Sequence, residues 1–506
     1  MKRRGDPYSL PVTDSPSAQQ DDIAALARGG RTNLFGFLLR LAARLPFLFI
    51  AGRWYGAESL GRFAYAVLVV EFAAQLATLG LKRGLAGALS QTERPHSHVV
   101  TDAMAVTLGA SLIAAGLLVA FPYAMFPNSS INGLDRLLPL IVIAVAGSDV
   151  ALAACAYRFD VGATVRARSI IEPWAISIGA FAFAFYSTRD GLILSYVLSM
   201  FAALVASIIP MTRHYGIPHG WRPDFGRLLR LARRNLPLAA ADGIEWGSRR
   251  LDLAILGLFV SPAAVGVYYV AQQVASLPQK LKTSFDPILG PVITRNLAEG
   301  NLTAIARQVS QVGFWIIAAQ AGIALALGIP GEAVMGLVGP HFVGGTGALA
   351  FLLLAEVVAA TAVVSESALV YIARHRNLMI SLMMIGLQAL LSFALILAAR
   401  DMGLSQVAIA AAPALALCIA LGVGAVVKAR LLARLLGARV NAWRWPLLGA
   451  SAVACAAGGV FVALPPRFEW VELVFGIATI LGVYGLVIWR WGFGPDDRAL
   501  FRSQKA

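Results

Sequence analysis

Several charged side chains lie inside stretches of sequence that are otherwise apolar. Arg40 and Arg44 lie four residues apart near the start of the chain, which places them on one face of a helix. A later stretch carries four charges at spacings of three, four and three residues, with one more cation beside them: Asp242, Glu245, Arg249, Asp252 and Arg250. Ionisable groups inside a membrane are costly and usually face a protein interior or a polar cavity. These residues therefore predict a polar site between helices.

Each of these side chains also has a simpler interpretation. Arg40 lies close enough to the end of its stretch to extend its guanidinium group to the membrane surface. Asp242 and Glu245 either neutralise the neighbouring arginines or take part in ion coupling. Glu356 and Glu366 lie together in one later apolar stretch, where they are candidates for binding a proton or another cation.

The sequence contains no pattern of a catalytic, metal or cofactor site. Its three cysteines lie far apart and form no CxxC pair, and none of its six histidines is spaced for metal binding. It has no GxxxxGK[ST] loop for binding a nucleotide. We therefore expect no catalytic residue, no metal, no cofactor and no enzymatic activity.

The composition predicts an all-α membrane protein. Apolar residues make up 58% of the 506-residue chain and charged residues only 14%, whereas soluble proteins have roughly 45–50% and 25%. The mean hydropathy is +0.72. The apolar residues form about 14 stretches, each close to the ~20 residues that a membrane-spanning helix needs. These stretches are approximately 33–52, 63–81, 100–122, 137–157, 169–187, 191–211, 238–260, 265–288, 310–329, 346–371, 378–399, 404–427, 446–463 and 473–490.

The distribution of basic residues predicts the orientation of the chain in the membrane. The net charge is +15, and most of the 42 Lys and Arg residues fall in alternate connections between the apolar stretches. Cytoplasmic connections carry such an excess of basic residues, so we expect a bacterial inner-membrane protein with both termini in the cytoplasm. Because the basic residues do not gather on one surface, the charge does not indicate binding to nucleic acid.

The chain also contains an internal repeat. A shift of 205 residues aligns Gly52–Gly61 with Gly257–Gly266 without a gap, and it aligns Arg44 with Arg249. Both aligned segments join a first helix to a second. Six spans in each repeat give both repeats the same orientation, so the sequence predicts parallel repeats related by an axis along the membrane normal.

Four segments carry a resemblance to a known family: Gly52–Phe63, Leu251–Tyr268, Pro291–Gly300 and Leu337–Gly344. In these segments the chain resembles the polysaccharide-biosynthesis flippases, or O-antigen flippases, of the multidrug/oligosaccharidyl-lipid/polysaccharide (MOP) exporter superfamily. The resemblance extends over roughly residues 30–430. It departs from the family at Thr78, where relatives often carry an acid at or next to the threonine.

The resemblance implies two six-helix lobes in a V-shaped pair around a central cavity, and transport by alternating access. It divides the chain into a disordered cytoplasmic tail (1–30), an N-terminal lobe (31–215), a C-terminal lobe (216–430) and two additional helices with a cytoplasmic tail (431–506). The implied substrate is an undecaprenyl-diphosphate-linked oligosaccharide, and membrane lipids, a polysaccharide polymerase and glycosyltransferases are implied partners. For such a substrate we expect Arg44 and Arg249, with Arg40 and Arg250, to bind the diphosphate from opposite sides of the cavity.

Two other functions remain open at this stage. A multidrug or metabolite antiporter of the same superfamily would be coupled to a cation, but those relatives typically have 12 spans, and the additional helices favour the flippase. A membrane glycosyltransferase or polymerase usually carries a sizeable catalytic loop, and no connection in this sequence is long enough to form one.

Overall fold

The computed structural model describes residues 45–283, 293, 296–297, 299–465, 468–494 and 497. Helices account for most of these residues, and no strand occurs among them. We number the principal helices in chain order: α1 Gly56–Ala77, α2 Leu81–Ser90, α3 His96–Ala120, α4 Leu140–Tyr157, α5 Glu172–Ala184, α6 Gly191–Tyr215, α7 Phe225–Ser248, α8 Leu251–Phe259, α9 Pro262–Thr283, α10 Leu302–Gly328, α11 Thr346–Ile372, α12 Arg374–Asp401, α13 Ala412–Leu436, α14 Pro446–Val462 and α15 Ile477–Val487.

The length and composition of these helices suit a lipid bilayer. Nine helical segments in the described ranges are long and apolar enough to cross a membrane. A helix satisfies its own backbone hydrogen bonds, which a segment in hydrocarbon must do because no water is present there. The predicted all-α membrane fold is confirmed, whereas the count of fourteen spans and the lobe boundaries stay predictions.

The apolar stretch at 238–260 does not form one continuous helix. Helix α7 begins thirteen residues earlier than this stretch, at Phe225, where the side chain of Asp224 accepts a hydrogen bond from the backbone N–H of Arg227 (3.3 Å). Helix α7 ends at Ser248, and α8 starts at Leu251. Because the helix is interrupted there, Asp252 does not continue the helix face that carries Asp242 and Glu245.

We call residues up to 215 the first half of the chain and residues from 216 onward the second half. The two halves meet where α1 and α9 cross. A Cβ atom added to Gly61 would lie 1.7 Å from the carbonyl oxygen of Pro262, and one added to Gly266 would lie 2.0 Å from that of Ala57. No side chain can be accommodated at either point, so glycine permits this close backbone approach. The shift of 205 residues relates Gly61 to Gly266 and Ala57 to Pro262, so the contact has the symmetry expected of parallel repeats.

The last two helices pack against α10. The hydroxyl group of Tyr484 on α15 donates a hydrogen bond to the carbonyl oxygen of Ala318 (3.0 Å), and its ring lies over Gly322. Beyond α15, Asp497 accepts hydrogen bonds from Arg444 (2.6 Å) and from the Trp315 indole (2.8 Å). These contacts join the end of the chain to α10 on one side and to the segment before α14 on the other.

Candidate functional site

A left-handed turn positions the first cation of the candidate site. Leu79 and Gly80 have φ values of 48° and 72°, which end α1 and redirect the chain into α2. Asn235 of α7 packs against this turn so closely that a Cβ atom on Gly84 would lie 1.7 Å from its side-chain oxygen. Helix α2 therefore lies beside α7, and Arg83 on α2 faces the acids of that helix.

Arg83 forms ion pairs with two acids of α7. Its Nε lies 2.8 Å from an oxygen of Asp242, and a terminal nitrogen lies 2.6 Å from an oxygen of Glu245. The Arg83 side chain is 50% exposed and that of Glu245 is 48% exposed, whereas Asp242 is buried. Because α2 lies in the first half of the chain and α7 in the second, these ion pairs join the two halves.

Two further ion pairs join the halves in the opposite sense: Arg227 of α7 with Asp102 of α3 at 2.9 Å, and Arg250 with Glu71. Arg250 lies between α7 and α8 in the second half, and it contacts Glu71 of α1 in the first half at 3.5 Å. Glu71 also accepts a hydrogen bond from the hydroxyl group of Tyr196 (2.5 Å). The Arg250 guanidinium group lies over the ring of Trp246, 5.0 Å from its centroid, an arrangement in which the ring attracts the cation.

Arg249 lies next to these contacts and is more exposed. A terminal nitrogen of Arg249 lies 3.0 Å from the other carboxylate oxygen of Glu245, one helical turn away, so the two side chains form an ion pair. The Arg249 side chain is 68% exposed. Asp252, three residues further along the chain, contacts other residues instead. We call Arg83, Asp242, Glu245, Arg249 and Arg250 the inter-half charge cluster.

Asp252 is hydrogen-bonded to side chains of α9 in the second half of the chain. Its carboxylate is buried and accepts hydrogen bonds from the hydroxyl group of Tyr268 (2.5 Å) and from the side-chain amide of Gln272 (3.1 Å), both on α9. Its other oxygen, Oδ1, has no hydrogen-bond partner among the residues that the structure describes. In the described structure Asp252 thus pairs with side chains of α9 and forms no ion pair with Arg249.

A second charged group lies within the first half, beside the cluster. Only 9% of the Asp149 side chain on α4 is exposed, and it accepts hydrogen bonds from Lys82 (3.1 Å) and from Arg168. Arg168 also pairs with Glu172 at 2.9 Å. A buried carboxylate needs such donors because loss of hydration is otherwise not offset. Lys82 is next to Arg83 in sequence and is 44% exposed, so it adds another accessible cation near the cluster.

The two acids of α11 lie far along the chain from the cluster. Glu366 pairs with Lys428 of α13 at 3.0 Å, and Lys428 also donates a hydrogen bond to Ser381 of α12 (3.0 Å). Lys428 is buried, so Glu366 balances its charge. Glu356 is half-buried on the same helix. No group of three or more His, Cys, Asp or Glu side chains that could hold a metal ion occurs in the part of the chain that the structure describes.

Two of the predicted cations, Arg40 and Arg44, lie outside the described residues. The expectation that Arg44 faces Arg249 across a cavity therefore stays a prediction.

Comparison with known families identifies the group to which the chain belongs. A family model described as "Polysaccharide biosynthesis protein" matches residues 50–314, a little over half of the chain. The chain belongs to this family. No curated protein matches the sequence.

Solved structures share the fold of this family member at low sequence identity. "Lipid II flippase MurJ, inward closed conformation" is 12% identical with a TM-score of 0.64, and the match covers 90% of this chain and 99% of that one. An inward-facing "multidrug resistance MATE family transporter of the MOP superfamily" is 13% identical with a TM-score of 0.57, and the match covers 79% and 98%. A mutant of the Vibrio cholerae MATE transporter VcmN is 14% identical with a TM-score of 0.52, and the match covers 82% and 99%. The chain therefore has the fold of MOP superfamily transporters, and it is a multi-pass membrane protein.

The family match includes the whole inter-half charge cluster. Arg83 and Arg250, with the cations and acids around them, lie inside residues 50–314, whereas Glu356 and Glu366 lie beyond that range. Sequence reasoning missed Arg83 because the second apolar stretch was predicted to end at residue 81, which assigned Arg83 to a cytoplasmic connection. Its partner Glu245 is 162 residues away, so no local spacing indicates the contact.

Proposed function

We propose that this protein is a flippase of the bacterial inner membrane that moves a polyprenyl-diphosphate-linked oligosaccharide. The cargo is a unit of O-antigen, capsule or exopolysaccharide, and it moves from the cytoplasmic to the periplasmic leaflet by alternating access. The main support is the meeting of Arg83, Arg249 and Arg250 at the contact between the two halves of a polysaccharide biosynthesis family member. Further support comes from the fold, which resembles that of a lipid II flippase.

The physical task explains why cations belong at this position. Each unpaired hydroxyl of a sugar costs on the order of 4–8 kcal/mol in an alkane-like medium, and an ionised diphosphate costs far more. A flippase must therefore provide polar partners along a path through the bilayer. Arginine suits a diphosphate because its planar group can bind two phosphate oxygens at once and remains charged.

The arginines differ in how readily they could reach a ligand. Arg249 has the most exposed side chain of the three and has one acidic partner in the described structure, Glu245. Arg83 is half exposed, and Arg250 is held between Glu71 and the Trp246 ring. In this proposal Arg249 and Arg83 bind the diphosphate first, with Arg40 and Arg44 of the first span completing the site.

A second part of the proposal concerns the energy source. Asp252, Glu356 and Glu366 are the acids that would bind a driving cation, since they lie outside the inter-half charge cluster. Asp252 is a candidate for this role because its buried Oδ1 has no hydrogen-bond partner among the described residues.

The test is substitution of Arg83 and Arg249 in cells that lack their own flippase. Losing a charged, two-oxygen contact costs about 1.5–3 kcal/mol, so each alanine variant should lower polysaccharide export roughly 10- to 100-fold at matched protein levels. Lysine variants should recover part of the export because they keep the charge without the planar group. The control is Arg233→Ala, an exposed arginine on the opposite side of α7.

Two results would contradict the proposal. Full export by both Arg83→Ala and Arg249→Ala would remove these side chains from the substrate path. Export of small organic cations, with normal polysaccharide in a deletion strain, would instead favour the antiporter.

A further inference from the structure

The guanidinium group of Arg83 is already occupied by the chain's own oxygens. Its Nε and one terminal nitrogen face one oxygen of Asp242 and one of Glu245, at 2.8 and 2.6 Å. Two oxygens on one edge of a guanidinium group are the arrangement that a phosphate group also provides. The two carboxylates thus fill the positions in which phosphate oxygens would bind.

Glu245 also forms an ion pair with a second arginine. Its two oxygens contact different arginines, Arg83 on one side and Arg249 on the other, at 2.6 and 3.0 Å. A single glutamate therefore bridges the two cations that we assign to the diphosphate. An anion with more than one phosphate group could make the same bridge, with more oxygens and more charge.

We propose that Asp242 and Glu245 act as internal competitors for the diphosphate of the substrate, so that substrate binding replaces a contact between the two halves. The inference rests on the proposed function, because it assigns a regulatory role to acids at that same site. Arg83 belongs to the first half and both acids to the second, so a ligand that takes over Arg83 removes this ion pair between the halves. Substrate binding is thereby coupled to movement of α2 relative to α7.

The exposure of the contact makes exchange feasible. The side chains of Arg83 and Glu245 are half exposed, so water and a ligand can reach the pair. Ion pairs at such exposure stabilise a structure only weakly, by a factor of about five at most. A diphosphate that contacts several cations gains more than this, since charge-assisted hydrogen bonds are the stronger class. Asp242 is buried and keeps α7 close to α2 when no ligand is bound.

The reciprocal pair, Arg250 with Glu71, does not compete in the same way. Glu71 is held by the Tyr196 hydroxyl, and Arg250 is held by the Trp246 ring. Loss of the Arg83 contact therefore leaves this inter-half ion pair in place, together with that of Arg227 on α7 and Asp102 on α3 (2.9 Å). This asymmetry predicts that the ligand releases α2 from α7 while α1 stays attached to the segment between α7 and α8.

The experiment measures binding of inorganic diphosphate, and of undecaprenyl diphosphate in lipid nanodiscs, to the purified full-length protein by calorimetry. Glu245→Gln and Asp242→Asn remove the competitors and should each tighten binding about two- to fivefold. Arg83→Ala should weaken binding at least tenfold. Asp401→Asn, which neutralises an exposed acid at the end of α12, is the control for net charge and should leave the affinity unchanged.

A distance measurement tests the coupling to movement. Spin labels at Gly87 of α2, where a side chain meets no neighbour, and at Arg233 of α7 report the separation of these helices. The three native cysteines are replaced in this background. Added diphosphate should lengthen the distance in the otherwise unsubstituted protein, and Glu245→Gln should lengthen it without ligand.

The outcomes separate this inference from the proposed function. Loss of binding in Arg83→Ala together with equal or weaker binding in both Glu245→Gln and Asp242→Asn overturns the competitor role and leaves the site intact. Unchanged binding and export in Arg83→Ala overturns the proposed site itself. Absence of diphosphate binding to the unsubstituted protein overturns both.

Discussion

Replacing Gly61 by alanine should open the contact between the halves at its predicted periplasmic end. A Cβ atom at Gly61 would lie 1.7 Å from the Pro262 carbonyl oxygen and 2.5 Å from the Gly266 nitrogen. These neighbours are backbone atoms of α9, which cannot rotate away as a side chain can. Helices α1 and α9 must therefore separate for the substitution to be accommodated.

The size of the effect follows from this geometry. Ordinary contact with a Cβ atom begins at 3.4 Å, so the helices must move apart by about 1.5–2 Å at the crossing. Overpacking of this kind costs about 1–3 kcal/mol in the conformation that contains the contact. A conformation open at this end loses no such energy, so the equilibrium should shift toward it by about 5- to 150-fold.

Thiol labelling measures this shift. Val265→Cys, in a background without the three native cysteines, places a thiol at a buried position of α9 beside the contact. The labelling rate should rise with Gly61→Ala, and Gly266→Ala should reproduce the rise because it meets Ala57 in the equivalent way. Gly116→Ala on α3, where a Cβ atom meets nothing within 4 Å, is the matched control. An unchanged rate in folded Gly61→Ala protein would refute the view that this contact opens.

Three further predictions concern coupling, orientation and the end of the chain. Replacing Glu356 or Glu366 by glutamine should shift the dependence of transport on the proton or sodium gradient, and normal transport by both variants at all pH and sodium levels would make the acids structural. Reporter fusions at residue 343 should give periplasmic signals and fusions at residues 222 and 436 cytoplasmic ones, so a cytoplasmic signal at 343 would contradict the fourteen-span topology. Burial raises the pKa of Asp497, but hydrogen bonds, above all from Arg444, outweigh burial and hold it below the ordinary 3.8. Asp497→Asn should therefore lower the free energy of unfolding by ~2 kcal/mol at neutral pH, as measured by chemical unfolding followed by tryptophan fluorescence. This difference should shrink progressively as the pH falls from about 4 through the lowered pKa of the folded protein, and a difference that stays constant over that range would contradict the assignment.

Periodicity and composition predicted those features that depend on nearby residues. Glu245 and Arg249 pair at four residues apart, as the helical spacing requires. The repeat at a shift of 205 residues predicted two equivalent halves, and the contact of Gly61 with Gly266 has that symmetry. Both inferences rest on the geometry of a single helix or on similarity within the chain, which a sequence contains directly.

The missed contacts share one physical cause. The second apolar stretch was predicted to end at residue 81 and the twelfth at residue 427, because a cation follows each of these positions. In the structure α2 begins at Leu81 and carries Lys82 and Arg83, and α13 continues to Leu436 with Lys428 buried inside it. Each of these cations pairs with an acid on another helix. Lys82 pairs with Asp149, Arg83 with Asp242, and Lys428 with Glu366. A hydropathy pattern places the end of a helix at such a cation, because a lone charge is unfavourable in the membrane. The acid that balances the charge lies far away in sequence, so the pattern does not reveal it.

The two ends of the contact between the halves differ in the forces that hold them. At the end with Gly61 and Gly266, backbone atoms pack without side chains between them, and that contact depends on shape alone. At the other end Arg83 bridges to α7 through half-exposed charges, which an anion can replace and which salt can screen. A substrate with a charged head group can therefore act directly on only one end. In alternating access, the diphosphate would therefore act at the end that contains Arg83. The contact of Gly61 with Gly266 would open afterwards, as a result of the movement of the helices.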